Sequence, residues 1–209
     1  MKQIPTILVL GFALSLCNLG TKLKTASNSG GSGSEKSSSS SSGEAEKATL
    51  TAAQTQALAG GQGIKWDRQE MSWTAPPKWK QDSSEFQELV WSSPGGDEAA
   101  HLIVSISPMD DSFPTDSSIQ AFYDQAATRM KHFEVDELKW VEIDGLRGVQ
   151  FRESNPEKPD GLRRLQWMAY RKYAGQVQMV DVMLSSNGSG FPKHQDEMYG
   201  VLYSTKLVH

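Results

Sequence analysis

Hydrophobic and polar positions divide this chain into three regimes. An apolar run from Ile4 to Leu16, broken by Pro5, Thr6 and Ser15, follows Met1 and Lys2. A polar stretch dominated by Gly and Ser comes next, and "EAEKATLTAAQTQALAGG" closes it. From Ile64 onward the pattern is that of a folded domain, with apolar residues recurring at two-residue or helical spacing.

The elements of this third regime follow in order. "GIKWDRQEMSWTAPPKWK" predicts two short strands with Trp66, Met71 and Trp73 facing inward, the second ended by Pro76 and Pro77. "FQELVWSS" predicts a strand and "PGGDE" a turn. "AAHLIVSISP" alternates, placing Leu102, Val104 and Ile106 on one face. "PTDSSIQAFYDQAATRMKHF" is the strongest helix, with Asp116 or Ser117 as its cap. Its apolar face is Ile119, Phe122, Tyr123, Ala126, Met130 and Phe133. Two hairpins follow, turning at Asp144-Gly145 and Ala174-Gly175. Leu165, Trp167 and Ala169 share one face of the second hairpin, as do Val180, Val182 and Leu184. A last helix runs from Phe191 to Leu202, with Phe191, Met198, Val201 and Leu202 at helical spacing. Antiparallel hairpins with two helices give an α+β domain, and apolar residues on both strand faces put helices on both sides of the sheet.

The first two regimes point to export. The apolar run suits a signal-peptide core and is shorter than the ~20 residues that span a bilayer. Residues 1–16 are therefore read as a signal peptide. Cys17, the only cysteine, follows at once. "LSLC" resembles the bacterial lipobox, with Leu14 and Ser15 in place and Leu16 where a small residue is usual. Lipid attachment at Cys17 is the favoured account. Ordinary cleavage just after Cys17, and a cysteine that merely belongs to the apolar run, are the rivals. With no second cysteine, a disulfide within the chain is excluded. Residues 17–63 read as a tether: Gly/Ser-rich sequence stays a flexible coil, and about 45 such residues reach roughly 35–40 Å. Within it, residues 44–59 predict a fraying, poorly packed helix before a Gly-Gly stop.

Charge narrows the function classes. Residues 1–63 carry five Lys against three acids, and residues 64–209 carry 16 Lys and Arg against 22 acids. The domain is acidic and has no basic stripe, which argues against nucleic acid as a partner. About 145 residues can bury close to 70% of their unfolded surface, enough for a core without disulfides or metal.

Each chemical candidate has a plainer structural account. His101, His132, His194 and His209 are scattered; His194 and Glu197 could share a metal, but a solvated helix face explains them better. Asp110, Asp111 and Asp116 lack calcium-loop spacing. Asn187 to Gly190, "NGSG", is a turn and not a nucleophile elbow. Arg163, Arg164, Arg171 and Lys172 form the one basic cluster, which alternation splits between two faces; protection of an edge strand is its plain role. Asp181 interrupts Val180 and Val182, so a covered sheet would bury its carboxylate beside an Arg or Tyr donor. Six tryptophans, all in the domain, are core residues in the plain account. No catalytic residue, cofactor or metal site is expected.

"MSWTAPPKWK", "AAHLIVSISP" with its following helix, "VEIDGLRGVQF", "YAGQVQMVDVML" and a closing helix stand in an order that resembles the PsbP-like fold. Trp73, Pro76, Trp79, Gly145 and Gly148 are its signature positions, and the resemblance covers about residues 64–208. It implies an α-β-α sandwich around a central antiparallel sheet. Members act mainly as accessory and interaction proteins with differing partners, so no binding residue is carried over. The expectation is an exported, lipid-anchored accessory protein on the extracytoplasmic side of a membrane, with a protein partner. It should show a contiguous exposed apolar or aromatic patch, for which Trp79, Trp91 and Trp140 are the candidates. The alternative is a secreted module for a small molecule or carbohydrate. That would show a concave pocket of convergent polar groups, with Asp181 as the first residue to examine.

Overall fold

The computed structural model describes residues 43–209, which belong to one compact unit. The strands are β1 (Glu46–Lys47), β2 (Gln62–Trp66), β3 (Met71–Ala75), β4 (Lys80–Ser84), β5 (Glu88–Ser92), β6 (His101–Met109), β7 (Val135–Ile143), β8 (Leu146–Glu153), β9 (Leu162–Tyr173), β10 (Gln176–Asn187) and β11 (Lys206–Leu207). The helices are α1 (Ala52–Ala57), α2 (Thr115–Lys131) and α3 (Phe191–Tyr203). The chain is α+β, as expected.

Eight strands form the main sheet in the order β1-β7-β8-β9-β10-β6-β5-β4. Both predicted hairpins are present, with positive φ at Asp144, Gly145, Ala174 and Gly175 as two-residue turns of this hand require. The sheet departs from the expected antiparallel order at one edge, where β1 runs parallel to β7. A second sheet, β11-β3-β2, stands beside the single central sheet expected. Its strands are too short and interrupted for a separate sheet to be read from their pattern.

One face of the main sheet carries α3 together with the small sheet. Trp66, Trp73, Leu102, Val104, Trp167, Val182, Leu184, Phe191, Met198 and Leu202 form that core. The other face carries α2, which packs on β7, β8 and β9. Ile119, Ala126, Trp140, Val149, Phe151 and Met168 form this smaller core. Gly148 lets the larger core close: a Cβ there would lie 2.5 Å from both Trp167 Nε1 and Met168 O. The Trp167 indole occupies that space and donates to Val141 O at 3.2 Å.

Local details correct the sequence expectations. Residues 44–59 hold β1 and a six-residue helix, not one fraying helix. A helix that short is marginal alone. Here a capping box closes it, with Gln54 N donating to Thr51 Oγ1 and Thr51 N to Gln54 Oε1. Leu58 behind it is buried, and Gly200 lets α3 approach closely, since a Cβ there would meet Leu58 Cγ at 3.0 Å. Neither Asp116 nor Ser117 caps α2; the helix starts at Thr115, and Ser117 Oγ donates back to Pro114 O. Phe133 leaves the apolar face altogether, 86% exposed at φ +60° past the helix end.

Candidate functional site

A cluster of convergent polar groups lies between β7, β8 and α3. A β-bulge at Val135–Glu137 creates the cluster. The extra residue turns Asp136 towards the side that Glu137 also faces, where Arg152 and Arg163 meet it. Arg152 Nε donates to Asp136 at 2.7 Å, and Arg163 to the other Asp136 oxygen at 2.6 Å. Arg163 also donates to Glu153 O and lies 4.4 Å over the Phe191 ring, on the α3 side.

Glu137 is the hub. It accepts from Tyr199 OH at 2.6 Å and from Gln150 Nε2 at 2.7 Å. Lys139 Nζ stands 3.4 Å and an Arg152 nitrogen 3.4 Å from its oxygens. Burial raises the Tyr199 phenol well above its usual range, and donation to Glu137 adds to the rise. Burial pulls Lys139 down, but Tyr203 and Glu137 outweigh it and hold the ammonium above its usual value. Burial likewise opposes Arg152, and Asp136, Tyr199 and Glu137 prevail. Every charge in the cluster therefore already has a counter-charge.

Glu137, Lys139, Arg152 and Tyr199 line a cleft of about 320 Å³, together with residues 46–49, the start of α1 and other residues of α3. It matches the concave pocket expected of a small-molecule module, but Asp181 is not in it. Tyr199→Phe would remove one donor from Glu137 while Gln150 and the two cations remain. A stability loss of about 1–2 kcal/mol is expected, read as a lowered urea midpoint.

Asp181 lies on the opposite, α2 face of the sheet. Its expected Arg or Tyr donor is replaced by Gln166, whose Nε2 reaches both carboxylate oxygens at 2.9 and 2.8 Å. Burial pushes its pKa up to about 6, against the pull of that amide. α2 stops short of this region, and Val90, Ile103, Met179 and Met183 around it stay partly exposed.

The remaining candidates resolve structurally. β9, which carries the basic cluster, is central and not an edge strand. Arg163 and Arg171 are buried hydrogen-bonded groups, Arg164 pairs with Glu153, and Lys172 is exposed. Trp79 and Trp140 are buried and Trp91 is partly so, which removes these tryptophans as candidates for the exposed patch. His194 pairs with Glu197 at 2.8 Å, and no group of three metal-ligating side chains occurs among the described residues. Asn187 accepts from Gly190 N in the turn before α3. Asp110 O accepts from Phe113 N in the loop before α2. Cys17 lies outside the described residues, among which no helix is long and apolar enough to cross a membrane. The Glu137 cluster had one sequence signal: in "DELKWVEI" a strand face passes from Glu137 and Lys139 to Val141 and Ile143.

No protein-family model matches the chain, and no curated protein sequence matches it. Solved structures do. LpqN, involved in cell envelope biogenesis of Mycobacterium tuberculosis, aligns over 71% of this chain and 86% of its own with a TM-score of 0.52 at 9% identity. Cyanobacterial PsbP (CyanoP) from Synechocystis covers 70% of this chain and 92% of its own, with a TM-score of 0.44 at 12% identity. The Saccharomyces cerevisiae Ran-binding protein Mog1p covers 71% and 95%, with a TM-score of 0.40 at 9% identity. The likeness to LpqN is one of fold; CyanoP and Mog1p superpose less closely.

Proposed function

We propose that this chain is an exported accessory module that works by binding a protein partner and is held at a membrane by lipid on Cys17. One observation carries the binding role: half of one sheet face lies beyond α2, with Val90, Ile103, Met179 and Met183 partly exposed on it. Exposed apolar area gathered in one place is the usual mark of an interaction surface. The anchor rests on the sequence, in which a lipobox-like "LSLC" precedes a Ser/Gly-rich stretch suited to a tether.

The test of anchoring is the intact mass of the mature protein from native membranes and from the soluble exported fraction. A membrane species beginning at Cys17 with an added diacylglyceryl group is expected, and Cys17→Ser should move the protein to the soluble fraction. A soluble species beginning after Cys17 would overturn the anchor and leave a free secreted module. Small-molecule binding in the Glu137 cleft is the second reading, favoured by that cleft's volume and opposed by the mutual neutralisation of its charges.

A further inference from the structure

The register of β5, β6 and β10 defines what the uncovered face offers. Val90 and Met183 both stand opposite Ile103, giving one apolar row across three strands. In the next row Glu88 and Asp181 both stand opposite Ser105. Beyond it Met179 stands opposite Ser107. Two carboxylates thus sit in a polar row flanked by that apolar row on one side and by Met179 on the other. The Asp181 carboxylate is held only by a neutral amide, and no Lys or Arg forms an ion pair with either acid among the described residues. Arg164, on the same face, is taken by Glu153.

The uncovered strip also has the width of one helix. β10, β6 and β5, the strands that carry it, span roughly 10 Å at ~4.8 Å per spacing. A helix with side chains is about 10–12 Å across. The same sheet face already seats α2 on β7, β8 and β9, so a second helix would lie beside the first.

We infer that the β10-β6-β5 face receives an amphipathic helix of a partner protein whose apolar stripe carries a central Lys or Arg, set against Asp181 and Glu88. This rests on the interaction-module reading and names the chemistry of the partner. The Val90–Ile103–Met183 row and Met179 supply contact area, and the acid pair supplies register and selectivity.

The test uses the full mature chain and two synthetic amphipathic peptides of about 18 residues, five helical turns. One carries Lys at the centre of its apolar stripe; its twin carries Glu there. Calorimetry gives affinities, and methyl shifts of Ile103, Met179 and Met183 locate the site. The Lys peptide should bind roughly tenfold more tightly than its twin. Asp181→Asn, which keeps the side-chain shape, should remove most of that preference. Ile103→Asp should abolish binding of both. Equal binding of the twins on this face would overturn the basic helix and leave the interaction reading standing. Shifts in the Glu137 cleft or on α2 instead would overturn the inference and withdraw the support this face gives to that reading. A concentration-dependent dimer abolished by Ile103→Asp would assign the face to a second copy, and binding to anionic lipid vesicles abolished by the same change would assign it to a membrane. Either result also overturns the inference.

Discussion

Arg171→Met is expected to lower stability by about 2–4 kcal/mol, the largest loss anticipated from a change outside the apolar core. The Arg171 side chain is 3% exposed and forms no ion pair among the described residues. It donates to Gln69 O at 3.0 Å, Gln69 Oε1 at 2.9 Å, Val208 O at 3.1 Å and Gln178 Oε1 at 3.2 Å. Its guanidinium also lies 4.4 Å over the Tyr173 ring. These bonds tie β9 and β10 of the main sheet to the turn between β2 and β3 and to the chain just after β11. Burial pulls the guanidinium pKa down, which is the mark of a charge held at a cost.

Two effects oppose each other in the Met variant. Removing the charge relieves its desolvation, and buried ion groups are often replaceable by apolar ones on that account. Against this, four acceptors lose their donor, and each buried acceptor left unpaired costs about 1–3 kcal/mol. The losses outweigh the relief because Met supplies no donor to two backbone carbonyls that stay where the sheets hold them. Urea unfolding measures the total. Amide exchange should show Lys206 and Leu207 opening first, since β11 is two residues long and loses its link through Val208. A change within ±0.5 kcal/mol would mean that the guanidinium does not tie the two sheets together.

Legibility of the fold followed the strength of local signals. The Asp144-Gly145 and Ala174-Gly175 turns were readable because they lie between alternating runs, and few sequences tolerate positive φ at both turn positions. The α3 stripe was readable because Phe191, Met198, Val201 and Leu202 leave no other helix face to bury. β4 was not: Lys80–Ser84 is polar on both faces, and only its backbone pairing with β5 makes it a strand. β1 is two residues long and exists because β7 offers a free edge.

The candidate sites were legible in part, for related reasons. Asp181 stood out because it breaks Val180 and Val182, but its donor is Gln166 and not the Arg or Tyr expected. Register sets Met168 opposite Asp181 and Gln166 one step diagonal to it, and register comes from the folded sheet. The Glu137 cluster was missed because simple alternation separates Asp136 from Glu137. Only the bulge brings both carboxylates to Arg152. Trp79 and Trp140 fit the core account of the tryptophans and not the patch, a choice that composition alone leaves open because tryptophans both pack and bind.

Asp181→Asn is expected to raise stability by about 1–2 kcal/mol at pH 7.5 and to change it little at pH 4. In the folded chain burial lifts the Asp181 pKa to about 6, whereas an unfolded aspartate titrates near ~3.9. Between those values the folded state keeps a proton that the unfolded state has released. Stability therefore falls as pH rises through the window from about 4 to about 6, and the full penalty persists above it. Two pKa units correspond to at most about 3 kcal/mol, and partial exposure of the residue brings the expected gain down to 1–2. The Asn side chain can still accept from Gln166 and has no charge to desolvate. Urea midpoints measured from pH 4 to 8 test this: the wild-type curve should decline between pH 4 and 6, and the variant curve should lack that decline. A variant less stable than wild type at pH 7.5 would overturn the account. The expected gain bears on function as well. A carboxylate that weakens the fold at neutral pH, between partly exposed Met179 and Met183, has no structural role that Asn would not fill better. Such a group fits a site whose charge a partner's cation satisfies, and so the substitution that stabilises the free protein is also the one expected to remove its preference for a basic helix.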